Sequence, residues 1–126
     1  MIEVLAVVLL LAHALAHLRV WATPEDPDHP APFAPGHSWA LAAAHLTQET
    51  ARAGAVAMAS ITALLYGVAG VALAAGLDWW APAAVLAAAG GLVLKTLWFS
   101  PWLLVGIAAD AGVVLAVTLE WPASLY

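Results

Sequence analysis

Four apolar runs, separated by proline, glycine and acidic residues, divide the chain. A helix needs about 20 mostly apolar residues to cross the hydrocarbon core of a bilayer. The first run covers residues of about 2–21; the second, about 48–76, begins at the polar turn His45-Leu46-Thr47-Gln48-Glu49. The third covers about 81–99 and the fourth about 101–120. Phe99-Ser100-Pro101 divides the last two: serine suits an N-cap, and proline at the first helical position loses nothing by lacking an N–H. Trp80-Ala81-Pro82 opens the third run in a similar way. The pattern predicts an all-α membrane protein, one domain over residues 1–126, built as a four-helix transmembrane bundle with a Pro-rich acidic loop after the first helix.

That loop, residues 22–45, carries prolines at 24, 27, 30, 32 and 35, which forbid helix over its first part. Residues 38–46 are read as a short interfacial helix with Ser38 as its N-cap. Trp21, Trp39, Trp79, Trp80, Trp98, Trp102 and Trp121 all fall near predicted helix ends, as amphipathic rings do at headgroup depth. Small residues on three spans, among them Ala63, Gly67 and Gly70, Ala88 and Gly91, and Gly106, Ala109 and Gly112, predict close helix packing.

Composition agrees. Hydrophobic residues make up 65% and charged residues 9%, with a mean hydropathy of +0.97. A water-facing fold carries roughly 25% charged residues, so most of this surface must face lipid. The net charge of −5, without Lys or Arg clusters, argues against nucleic acid as a partner. The absence of cysteine excludes disulfides, thiolate metal sites and thiol catalysis. The first run opens on Glu3 rather than a basic stretch and is long for a signal core, so it is read as a span. Arg19, Arg52 and Lys95 all belong to the loop face, which predicts a cytoplasmic loop and outward termini in a bacterial inner (plasma) membrane. Expected partners are membrane lipids, with a homo-oligomer or a larger membrane complex as further possibilities.

Ionisable residues inside spans are expensive and usually face the bundle interior. His13 and His17, four apart, share one face of the first helix. Asp110 lies at about the depth of His13 and Lys95 at about that of His17. On the second span, His45, Glu49, Arg52 and Ser60 fall on one stripe by helical spacing, which predicts that they face inward. The polar groups then run from mid-membrane to the loop face, as in a pocket open on one side. Tyr66 lies in the other half, with Glu3, Asp78 and Glu120 at the rim.

Several chemistries fit this set. His13, His17 and Asp110, with Glu49 as an alternative third ligand and His45 as a possible addition, could hold a divalent metal. The same residues with Lys95, Glu49 and Arg52 could bind a proton or small ligand. A haem fits less well, because its axial histidines come from facing helices. The purely structural alternative pairs His13 with Asp110 and gives His17 a backbone carbonyl. Bland readings also exist for the rest: Arg19 and Lys95 snorkelling to headgroups, Arg52 paired with Glu49, His29 and His37 solvated in the loop. Function is thus expected to be ligand binding within the membrane, with an accessory subunit or a small enzyme acting on a lipid-soluble substrate as alternatives. No phosphate-binding loop, dinucleotide fingerprint, nucleophile elbow or zinc-protease motif occurs.

Leu11-Ala12-His13-Ala14-Leu15-Ala16-His17-Leu18 before a Pro-rich loop, Asp78-Trp79-Trp80-Ala81-Pro82, and Ser100-Pro101-Trp102-Leu103 followed by Asp110 resemble the small four-span membrane proteins common in actinobacteria. The resemblance implies four spans and directs attention to His13, His17 and Asp110. It implies no particular reaction.

Overall fold

The computed structural model describes every residue except Glu25, Pro27, His29 and Pro30, so the expectation for His29 lies outside the described residues. Among the described residues five α-helices follow in order: α1 (Ile2–Trp21), α2 (Trp39–Ala43), α3 (Gln48–Ala74), α4 (Trp80–Leu97) and α5 (Leu104–Thr118). Short 3-10 turns, Pro101–Leu103 and Ala123–Leu125, lead into α5 and close the chain. Four segments are long and apolar enough to cross a membrane: α1, α3, α4 and Pro101–Thr118.

Local chemistry accounts for the helix ends. Thr47 caps α3 by accepting from the Thr50 N–H, and Ser38 caps α2 by accepting from the Leu41 N–H. Gly76, at a φ of +66°, ends the turn after α3 in the left-handed region that glycine tolerates. Ser100 takes the N-cap position of the turn before α5, but its side chain makes no capping bond. The fixed φ of Pro101 opens that turn instead.

In the bundle α3 packs along both α1 and α4, and α4 along α5. The α3 stripe that faces inward is Ala51, Ala55, Ala59, Thr62, Tyr66, Ala69 and Leu73, at helical spacings of three and four. On α4 the buried small residues are Ala83, Ala84, Ala87, Ala88 and Gly91, and Gly90 lies against Thr62 of α3. Such short side chains let two backbones approach closely, which is how helices attract one another in lipid.

The described part of the long loop reaches back over the end of α4. Trp98 donates its indole N–H to the Pro35 carbonyl at 2.7 Å. Ser38 donates to the Leu97 carbonyl and Trp39 to the Thr96 carbonyl, each at 2.7 Å. Two of these carbonyls belong to the last turn of α4, which has no intrahelical donors left for them. Trp21 and Trp98 are accordingly buried there, with Phe33 edge-on to Trp21 at 4.7 Å. All seven tryptophans sit near helix ends, but Trp21, Trp80 and Trp98 pack inside the protein while Trp39, Trp79, Trp102 and Trp121 are exposed.

Candidate functional site

One carboxylate gathers side chains from all four spanning helices. Asp110 is fully buried, and among the residues of α5 it alone is. Its Oδ1 accepts from Tyr66 OH of α3 and lies 2.7 Å from His13 Nε2 of α1, the tyrosine distance also being 2.7 Å. Its Oδ2 accepts from Lys95 Nζ of α4 at 2.7 Å. Lys95 Nζ lies 2.9 Å from His17 Nε2 and, more weakly, 3.5 Å from the Gly91 carbonyl. The charges of Asp110 and Lys95 cancel, so the buried assembly can be neutral, as hydrocarbon surroundings require.

The partners dictate the histidine tautomers. His17 Nδ1 lies 3.0 Å from the His13 carbonyl, and a carbonyl only accepts, so Nδ1 carries the proton. His17 Nε2 then offers a lone pair, which takes an N–H of Lys95. His13 Nε2 must donate to the ionised Asp110, which leaves His13 Nδ1 as a lone pair. No hydrogen bond engages that atom, and it is not enclosed, because among the described residues every enclosed side-chain N or O atom has a partner. His13 is 18% exposed, the most open member of the network.

Two glycines make room for the ion pair. A Cβ on Gly91 would strike the Asp110 carboxylate, and one on Gly106 would come within 2.6 Å of Lys95 Cε. Their missing side chains are what let a carboxylate from α5 and an ammonium from α4 lie between the two helices. The imidazole of His13 meets those of His17 and the Tyr66 ring edge-on, each at 4.7 Å, which holds its orientation.

The ligand atoms of His13, His17 and Asp110 lie within 4.8 Å of one another, a grouping able to hold a metal ion. The Lys95 ammonium touches two of the three, and so stands where such an ion would make the same contacts. For haem, the two imidazoles lie on one helix with ring centroids 4.7 Å apart, leaving no room for a porphyrin between them.

The structure brings His13, His17, Lys95 and Asp110 together, and the remaining candidates lie elsewhere. His45, Glu49 and Ser60 are exposed, and Arg52 is half-buried near the start of α3. The expected inward stripe fails for a physical reason. Glu49, Arg52 and Ser60 do share a face within α3, but Ala63 and Gly67, which continue it, are small residues of the kind found all round this helix and do not mark the inward side. His45 stands outside the helix, in a turn with φ of +59°. The true stripe is set by Ala51 and Ala55, and it ends on Tyr66. Tyr66 belongs to the site although depth along the sequence places it in the other half. The spacing Ala51, Ala55, Ala59, Thr62, Tyr66 was the available signal. Lys95 is buried and points inward rather than snorkelling.

Two cavities flank the network along the groove between α1 and α5. The loop-side cavity, about 270 Å³, reaches His13, His17, Lys95, Trp21 and Trp102. The other, about 360 Å³, runs toward the termini past Leu9, Leu10, Val113 and Val117. His13 and Ala109 border both. The chain matches no known family model, no curated protein and no solved structure, so its chemistry has to be read from this geometry alone.

Proposed function

We propose that the chain is a membrane-embedded binding protein whose intramembrane polar pocket takes a small ligand or a proton at His13. The observation that carries this reading is the free Nδ1 lone pair of His13, on a side chain that borders two cavities, while the neighbouring polar groups are engaged. A purely structural network has no need of such an atom. Asp110 holds the imidazole by its other nitrogen, so a group bound at Nδ1 is sensed by a carboxylate that also contacts Tyr66 and Lys95. With Lys95 committed inside the bundle, Arg19 and Arg52 are what remain to favour a cytoplasmic loop in a bacterial plasma membrane.

The test is nitrogen NMR of histidine-labelled protein in lipid nanodiscs. The His13 Nδ1 signal should respond to added decanol, a lipid-soluble hydroxyl donor, while that of His17 stays in place. A His13 signal as inert as that of His17 at every decanol concentration would overturn the reading. A second reading, a bound divalent metal, is favoured by the 4.8 Å grouping of His13, His17 and Asp110. Elemental analysis after zinc loading separates the two. Uptake by the wild-type chain supports a metal, whereas uptake by Lys95→Met alone means that the ammonium keeps the place filled.

A further inference from the structure

The groove between α1 and α5 has a chemistry that an ion pair alone does not require. Its two cavities together reach the range of roughly 300–1,000 Å³ common for small-molecule sites, which are mostly apolar with a few placed polar groups. The halves differ. Loop-side, two indoles (Trp21 and Trp102) lie along the same cavity as the polar edges of His13, His17 and Lys95. Toward the termini, the cavity lacks His17 and Lys95, and its wall runs over Leu9, Leu10, Val113 and Val117 with the indoles of Trp80 and Trp121 beside them. The larger depression between α1 and α3, about 740 Å³, offers little for recognition, since the Ser60 hydroxyl there is already donated to the Val56 carbonyl.

The polar atoms decide what can bind. His17 Nε2 and the Lys95 N–H groups are committed to one another, to Asp110 and to Gly91. The free atom is His13 Nδ1, a lone pair that needs a donor. A hydrocarbon tail alone would leave that lone pair unused, and a ketone or ester would set one acceptor against another. We infer that the groove binds a lipid-soluble aromatic alcohol, a phenol- or quinol-type ring with an alkyl or isoprenoid tail. The ring occupies the loop-side cavity against the indoles, its hydroxyl donates to His13 Nδ1, and the tail lies in the cavity toward the termini. This rests on His13 being the binding atom proposed above, and adds the class of ligand.

Two glycines supply clean variants, because a Cβ at either Gly112 or Gly67 would meet nothing within 4 Å. Gly112 borders the tail cavity, and Gly67 borders the depression between α1 and α3. Binding of para-decylphenol to the full chain in nanodiscs is followed by tryptophan fluorescence and by the His13 Nδ1 signal. The phenol should saturate and shift that signal. Decylbenzene, with the same ring and tail but no hydroxyl, should bind about tenfold more weakly, the equivalent of one net hydrogen bond of about 1.4 kcal/mol. Gly112→Leu should weaken the phenol by about tenfold or more by filling the tail cavity, and Gly67→Leu should leave it unchanged. Equal binding of phenol and decylbenzene overturns the inference, as does an indifferent Gly112→Leu or an equal loss in Gly67→Leu. If His13 Nδ1 responds to decanol but not to the phenol, the ligand class falls and the binding reading stands. If it responds to neither, both fall.

Discussion

The seam between α3 and α4 and the attachment of α5 solve the same problem by opposite means. Along the seam, Ala55, Ala59, Ala84, Ala87 and Ala88 are fully buried and chemically plain, and cohesion is spread over many short contacts. On α5 the single buried residue is Asp110, and its partners come from three other helices. A distributed seam tolerates the loss of any one contact. An attachment centred on one carboxylate does not, because removing it strands the Lys95 charge in a low-dielectric interior. The contrast shows why a binding site can sit beside α5. Apart from Asp110, α5 packs on the core through side chains that are only partly buried, Val113, Val114 and Val117, and this leaves a groove toward α1, whereas the zipped seam buries its alanines completely.

The sharpest way to break this contrast is Asp110→Ala. Leaving Lys95 unpaired is expected to lower stability by about 3–5 kcal/mol, read from reversible unfolding in mixed detergent micelles. A loss no larger than that of a seam alanine would show that α5 is not anchored where the geometry places it. Adding Lys95→Met should recover much of the deficit, since two apolar side chains leave no charge uncompensated.

Next in size is Gly91→Ala, which drives a methyl group into the Asp110 carboxylate and is expected to cost about 1–3 kcal/mol. Gly106→Ala meets the aliphatic stem of Lys95, which can move, so its Tm should fall by less. The reverse order would mean that the lysine, not the aspartate, is the rigid member of the pair. Tyr66→Phe removes one of three donors from Asp110 and should cost about 1 kcal/mol, with His13 and Lys95 still in place. Smallest of all, Glu49→Gln touches neither region and should stay within about 0.5 kcal/mol. A larger effect would return Glu49 to the site.

Much of the fold was legible before any coordinates. The span of α1 coincides with the first apolar run, and α3 ends two residues short of the predicted end, where Ala75 and Gly76 form the closing turn. The pairing of His13 with Asp110 followed from their shared depth, and so did the proximity of Lys95 to His17. Rotation was less legible. On α1 His13 and His17 mark the inward side, but apolar residues cover the rest of the helix, so nothing along it says which neighbour lies to either side of that face. On α3 the alanines that face inward look, as letters, like those that face lipid. Glu49 and His45 were assigned inward because their stripe continues into Ala63 and Gly67, and Tyr66 was set apart by depth although its hydroxyl reaches Asp110.

The sequence by itself determined the phase this protein lives in and the number of its crossings. Surface composition decides which solvent a chain can face, and run length decides how often it can traverse a bilayer. Only the tertiary structure decided that one carboxylate draws on four helices, and that His13 Nδ1 is left free in a groove beside α5. Hydrogen-bond pairing depends on how each helix is turned and which helices flank it, and a helix that is apolar beyond its few polar residues does not encode its neighbours along its own length.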